Sequence, residues 1–481
     1  MPEQDRWTGV VVRRLPEMYV ACALWVTLLL CVLTPPFFAP DELSHALRAM
    51  QLAHGQLIGA RVAPGSGGWL DANVIDAGNA VMAMESAREA AFGGMRRVPD
   101  GGFVERNRLR AIQDLTWSGK LDDVAFANTV SYPPLLYLPQ IAGWWMGEHL
   151  QWTVVQSERL ARIMAALTAV VLGWLALRLC RCGRPLIFGV LLLPTVLSLN
   201  ASCSQDAIGF AVVALAVAIV TRALAERRDL RWAESAAVAA LLLASGGGRP
   251  PYVMLSVLLV LPVIDSSTER PLQRWRPVPW MLLVVGAVIV WQRAVHHLGS
   301  LVKADANPAA QRSYILHHPA TVVFDLLTAP LRQVRPLVVG GFASLGTNNV
   351  IAPWPVFVLL GLGALLLLAV TPMLCLRRGV SRGLLVVALV GAVFGVSLAE
   401  FLVWTPAASH VVGGLQSRYY LPLLFPCFLL LPAQSLVSRC MRDRLLLVAL
   451  LMIVPAVLWT PWVAAHRFYG EGLLSALRVA W

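Results

Sequence analysis

Long apolar runs separated by short polar breaks dominate the chain. About eleven could cross a bilayer, whose hydrocarbon core takes roughly 20 residues of helix and somewhat fewer where a helix is short or broken. They lie near Met18 to Pro35, Leu160 to Leu179, Leu186 to Leu199, Ala207 to Thr221, Ala233 to Ser245, Pro251 to Ile264, Trp280 to Ala294, Trp354 to Leu376, Leu384 to Trp404, Tyr419 to Val437 and Leu445 to Val463. The pattern predicts an all-α integral membrane protein, a polytopic helical bundle. A further segment, Tyr132 to Gly147, is apolar enough to enter the bilayer but carries Pro133, Pro134 and Pro139. It reads as a re-entrant or surface-lying broken helix, because irregular backbone at membrane depth needs cover from protein or a water-filled cavity.

Composition agrees with the pattern: 58% of residues are hydrophobic and 14% charged, too apolar for a water-soluble chain of 481 residues. The net charge of +12 does not point to nucleic acid, since the arginines fall in short clusters between apolar runs. Arg6, Arg13 and Arg14 precede the first run. Every second connection afterwards is basic: Arg178/Arg181/Arg184, Arg222/Arg227/Arg228/Arg231, Arg270/Arg274/Arg276, Arg377/Arg378/Arg382 and Arg439/Arg442/Arg444. By the positive-inside rule these face the cytoplasm, with the amino terminus inside and the carboxyl terminus outside. Residues 1–481 then form a single transmembrane domain with two long outward connections, 37–159 and 295–353, acting as lids. The first run has the basic flank of a signal peptide but no small-residue cleavage site after it, so it is expected to stay attached. Eight cysteines show neither a disulfide framework nor metal-ligand spacing.

Of the 27 acidic residues, 13 lie between Asp41 and Glu158, and all nine histidines fall outside or at outer span ends in this topology. A long polar loop explains most of them. The spacing at Pro40-Asp41-Glu42-Leu43-Ser44-His45 is more specific. Pro40 suits the first position of a helix on which Leu43, Leu47 and Met50 form an apolar stripe that could lie on the bilayer. Asp41, His45 and Arg48 recur on another face, offering an acid, an imidazole and a guanidinium. Acids are also favoured in a first helical turn by the exposed N–H groups alone, so this reading stays open.

Three more outward segments share the pattern of aromatic, proline and arginine: Tyr132-Pro133-Pro134-Leu135-Leu136-Tyr137, Gly246-Gly247-Gly248-Arg249-Pro250-Pro251-Tyr252 and Gln416-Ser417-Arg418-Tyr419-Tyr420-Leu421-Pro422. Arg249 and Arg418 stand where a lipid phosphate would, although arginines at span ends also snorkel to headgroups. The order Pro-Asp-Glu, Tyr-Pro-Pro-Leu, Arg-Tyr-Tyr-Leu-Pro resembles the GT-C class of polyprenyl-phosphate-sugar-dependent glycosyltransferases. More closely the chain is similar to a bacterial family of polytopic membrane proteins, a domain of unknown function within or near that class. The likeness covers most of the chain, including Gly340-Gly341-Phe342-Ala343-Ser344-Leu345-Gly346.

The resemblance implies transfer of a sugar from a polyprenyl-phosphate donor to a cell-envelope glycan or lipid acceptor, outside the bacterial cytoplasmic membrane. It implies that Asp41 acts as base or holds a divalent metal (Mg or Mn) and that Glu42 supports it. Arg48, Arg249, Arg418 and Tyr419 would hold the lipid phosphate, and His45, Tyr132, Tyr137, Tyr252 and Gln416 would line the substrate cavity. Two departures stand out: a second metal-ligand motif and an appended soluble domain are both missing. Adjacent carboxylates point about 100° apart on a helix, so Asp41 and Glu42 cannot flank one glycosidic bond as hydrolysis requires. The competing readings are a flippase or transporter of lipid-linked sugars, suited by the proline-broken spans and by Asp206 and Glu400 near span ends, and a non-catalytic assembly protein. Against transport, the mid-span regions carry almost no charge.

Overall fold

The computed structural model of the chain describes residues 4–63, 65–91, 104–266, 275–299, 303, 305–346, 350–371, 376–431 and 437–481. Helices dominate, as the hydropathy pattern predicts. Six among the described residues are long and apolar enough to cross a membrane: Val11–Leu33, Val154–Leu179, Asp206–Ala225, Val278–Val295, Gly379–Trp404 and Met441–Tyr469. The other five apolar runs make shorter or broken pieces. Leu186 to Leu199 divides into Arg184–Leu191 and Pro194–Asn200, and Ala233 to Ser245 lies within Trp232–Gly248. Pro251 to Ile264 is a 3₁₀ segment, Pro250–Leu259, followed by the short helix Leu261–Asp265. The run from Tyr419 to Val437 begins as a chain of short turns up to Leu430, with residues 432–436 outside the described part, and the run from Trp354 to Leu376 contains a helix over Trp354–Val370. Prolines explain most breaks, since each removes a backbone donor and clashes with the preceding turn. Among the described residues, six of the apolar runs therefore form helices long and apolar enough to cross, and the other runs are shorter or broken.

The Asp206–Ala225 helix is central, with 89% of its apolar window buried, whereas Val278–Val295, at 17%, lies on the periphery. The Tyr132 to Gly147 segment forms a 3₁₀ turn over Pro134–Tyr137 and a 12-residue helix, Leu138–His149. At 1.5 Å per residue that helix is about 18 Å long, too short to cross. It packs along Val154–Leu179 so closely that a Cβ on Gly143 would stand 2.4 Å from the Ala161 Cα.

The first long connection carries structure that the hydropathy pattern does not announce. Strands β1 (Ala60–Val62), β2 (Gly65–Asp71) and β3 (Leu121–Ala125) form an antiparallel sheet in that order. The connection is tied to the end of the chain: Val104 N–H donates to the Phe468 carbonyl (3.0 Å) and the Gln113 side-chain amide to that of Ala480 (2.6 Å). Charge also enters the spans where the sequence suggests little, because Glu158 and Arg162 sit buried near the start of Val154–Leu179.

Candidate functional site

The site begins at the helix Glu42–Ala53. Pro40 is not its first residue. Asp41 caps the helix in the left-handed region (φ 56°, ψ 17°), and its carbonyl accepts the His45 N–H at 3.1 Å. The stripe that the sequence places on the bilayer is buried in protein instead. Leu47 and Met50 are sealed in the core, and Leu43 packs over Gly78. The apolar face meets the rest of the bundle, which the sequence pattern cannot distinguish from lipid.

Asp41 and Glu42 point to different places. Glu42 turns inward and takes both arms of the Arg162 guanidinium, Nε to Oε1 at 2.8 Å and Nη2 to Oε2 at 2.6 Å. It also accepts the Cys203 N–H (2.6 Å) and the Ala39 N–H (2.8 Å). Glu158 reaches the same guanidinium at 2.6 Å, and Arg162 further donates to the carbonyls of Cys31, Thr34 and Pro35. Glu42, Glu158 and Arg162 side chains are all fully buried. Glu42 thus points away from the Asp41 carboxylate, into a sealed ion cluster. Arg48, expected at the lipid phosphate, is fully buried and donates to the Tyr132 and Leu57 carbonyls and to Gln51.

Asp41 turns outward. Its side chain is 42% exposed and is bonded by Nη2 of Arg418, itself only 4% exposed. Arg418 Nη1 donates to Asp206 Oδ2 (3.2 Å) and to the Pro40 carbonyl (3.1 Å), and Nη2 also reaches the Tyr419 hydroxyl at 3.3 Å. Asp206, the first residue of its helix, takes Arg249 Nη2 at 2.6 Å on its other oxygen. Both guanidiniums lie over the Tyr419 ring, Arg249 at 4.3 Å and Arg418 at 5.2 Å from its centroid, within cation–π range. Tyr252 fixes this turn by donating to the Tyr419 carbonyl at 2.7 Å. Gly340 lets the turn approach, since a Cβ there would stand 2.8 Å from Ser417 Oγ. A cleft of about 280 Å³, open mouth included, adjoins Asp206 and Arg249 between Gln205, Phe210, Tyr252 and Pro422.

His45 forms the wall behind Asp41. Its Nδ1 is 2.5 Å from the Tyr137 hydroxyl, and its ring stacks on Tyr132 at 5.9 Å. Burial pushes its pKa down to about 4, which keeps the imidazole neutral at physiological pH. Burial also raises Tyr132 and Tyr137, so neither ionises there. The Asp41 carboxyl sits below its ordinary value: burial pushes it up, and the Arg418 guanidinium outweighs that. Gln416 lies at the start of the turn that presents Arg418.

Of the residues singled out from sequence, the structure brings together Asp41, Arg249, Arg418, Tyr419 and Tyr252, with His45, Tyr132 and Tyr137 behind them. Sequence reasoning marks Asp206 and Glu400 only as span-end charges suited to a transporter. Asp206 is in fact the link between the two arginines. Glu400 lies close enough to interact electrostatically with Arg249, Arg418 and Asp41, and its Oε2 is buried with no hydrogen-bond partner. The signal for Asp206 was an acid heading an otherwise apolar helix. The donor set does not fit a divalent cation: Asp41 and Asp206 are each taken by guanidinium, and no group of three His, Cys, Asp or Glu that could hold a metal occurs among the described residues.

No curated protein and no solved structure matches the chain. A family profile described as predicted membrane protein (DUF2142) matches residues 24–427, a stretch that includes Asp41, Asp206, Arg249 and Arg418. The chain belongs to that family.

Proposed function

We propose that this member of the DUF2142 family is a GT-C-type membrane glycosyltransferase, moving a sugar from a polyprenyl phosphate to a hydroxyl of an envelope glycan or lipid. The observation that carries the reading is the meeting of Asp41, partly exposed, with the buried Arg418 and the partly buried Arg249, whose guanidiniums share one tyrosine ring. Transfer needs those two kinds of group. Asp41 takes the proton of the acceptor hydroxyl, whose oxygen attacks the anomeric carbon. The bond from that carbon to the phosphate oxygen breaks, and the lipid phosphate leaves with one more negative charge than it carried as a diester. The arginines stand where that charge grows, and fixed cations in a poorly solvated site act more strongly than in water. In this reading Asp41 works on the outer face of a bacterial cytoplasmic membrane, with the amino terminus inside and the carboxyl terminus outside; the arginine clusters between the apolar runs support it through the positive-inside rule. The donor set favours a metal-independent base.

The test uses the purified chain in nanodiscs with a polyprenyl-phosphate sugar and an envelope lipid fraction. Free polyprenyl phosphate should appear only when acceptor is present. Movement of the intact lipid-linked sugar between vesicle leaflets, with no bond broken, would replace this reading with a flippase, which the broken helices 184–200 and 250–265 would also suit.

A further inference from the structure

We infer that Arg418 is shared in turn between Asp41 and an anionic phosphate, so that arrival of the phosphate frees the Asp41 carboxylate to accept a proton. The role given to Asp41 rests on the glycosyltransferase reading; the sharing itself rests on the geometry of one guanidinium. An arginine grips phosphate side-on through a fork made by Nε and one terminal nitrogen. In Arg418 the fork is half vacant: Nε, sealed from solvent, has no partner among the described residues, while Nη2 is bonded to Asp41 and to the Tyr419 hydroxyl. The other terminal nitrogen, Nη1, is held by the Pro40 carbonyl and by Asp206.

Exposure decides which partner gives way. The Asp206 side chain is 7% exposed and has a second cation in Arg249, whereas Asp41 is 42% exposed and has no other ion pair. A phosphate entering from the open side therefore meets Asp41 first, and takes the Nε–Nη2 fork only when the carboxylate swings away. The charge count points the same way. Asp41 and Asp206 already balance Arg418 and Arg249, with the Glu400 carboxyl close by as well, so a phosphate finds no spare positive charge while Asp41 stays paired. A carboxylate held by guanidinium is also a poor base. The exchange thus makes Asp41 competent only when the donor is in place, which guards against wasteful transfer to water.

The experiment measures binding of farnesyl phosphate to the full chain in nanodiscs by calorimetry. If Asp41 competes for Arg418, Asp41→Asn should bind the probe about tenfold tighter than wild type, the scale of one charge-assisted hydrogen bond. Asp41→Glu, which restores the competitor, should return the affinity to near the wild-type value. Equal or weaker binding by a folded Asp41→Asn protein overturns the inference and leaves the phosphate site standing. A wild-type protein whose farnesyl phosphate binding is unchanged by Arg418→Ala removes the phosphate grip itself, and with it the reading beneath. Should neither Asp41 variant fold, infrared difference spectra of wild type labelled with ¹³C-aspartate decide. A shift of a carboxylate band on adding farnesyl phosphate is expected, and an unchanged spectrum overturns the exchange.

Discussion

Two ionic clusters grow from adjacent residues of this chain, and they differ in almost every physical respect. The Glu42 cluster sets two carboxylates around the single cation of Arg162, sealed from solvent, with Glu42 and Arg162 tied to backbone amides and carbonyls. The Asp41 cluster alternates two carboxylates with two guanidiniums, and one of its members reaches the surface. The first is bound to its surroundings by hydrogen bonds that leave Arg162 no freedom. The second contains a cation, Arg418, with an unused donor. Buried charge is therefore no guide to function by itself; what separates the clusters is whether a charged group has an exchangeable partner and a way out to substrate.

The sharpest way to break this comparison is to remove the cation from the sealed cluster. Arg162→Ala leaves two buried carboxylates unpaired and should cost about 3–5 kcal/mol or more, the scale for breaking a buried ion pair. The variant should fail to accumulate in membranes, as measured by immunoblot and by melting in detergent. Replacing Glu42, Glu158 and Arg162 together with apolar residues of similar volume should recover most of that loss. Full stability of Arg162→Ala would erase the distinction.

Asp41→Asn should do the opposite. Turnover should fall about 10²–10⁴-fold, the contribution of a positioned base. Its melting temperature should fall less than that of Arg162→Ala, since Arg418 keeps Asp206 and the Pro40 carbonyl and the lost carboxylate is partly exposed. Polyprenyl phosphate release and the detergent melt, measured on the same preparation, check both halves.

His45 gives a smaller and pH-dependent effect. Its folded pKa lies near 4 against 6.5 for the free imidazole, so between those values the unfolded chain binds a proton that the folded chain refuses. Stability should accordingly fall as pH drops from about 6.5 to 4, by at most about 3 kcal/mol. His45→Gln should flatten that part of the melting profile. The least effect belongs to Arg178→Gln on the exposed pair with Glu17, which are 3.3 Å apart and about half exposed; a change under about 1 kcal/mol is expected.

Much of the site can be located from sequence because proline, glycine and arginine recur at the outer ends of apolar runs. Arg249 and Arg418 stand out there, and Tyr419 and Tyr252 follow them. The roles of Glu42 and Arg48 cannot be read in the same way. Their neighbours come from residues as distant as Arg162 and Tyr132, and a helix displays all its polar side chains equally in a one-dimensional pattern. The divergence of Asp41 and Glu42 has a local cause that the sequence does not announce: Asp41 caps the helix in the left-handed region, whereas Glu42 is its first residue. Asp206 is ambiguous because an acid heading a helix is favoured by its exposed N–H groups whether or not it has another task. The membrane class follows from hydropathy, but the number of full spans does not. Runs such as Pro251 to Ile264 are apolar enough to be counted, yet their prolines wind them into short 3₁₀ pieces. The sheet of β1 to β3 escapes notice because its middle strand, Gly65–Asp71, is rich in glycine and lacks the alternation that marks a strand.

The scattering of the Asp41 cluster along the chain also sets an order of assembly. A ribosome delivers Glu42, Glu158, Arg162 and Cys203 before half the protein exists, so the sealed cluster can lock the first helices together early. Asp206 and Arg249 follow and can pair with each other. Arg418 comes last, on the order of tens of seconds after Arg162 at ordinary rates of synthesis. Until then Asp41 lacks the Arg418 guanidinium, and the pair of arginines proposed to hold phosphate is incomplete. The nascent protein at that stage also lacks the Met441–Tyr469 span and the Phe468 and Ala480 carbonyls that hold the first long connection, so a chain cut short before residue 418 would be expected to insert its early helices but to leave both the Asp41 cluster and that connection unfinished.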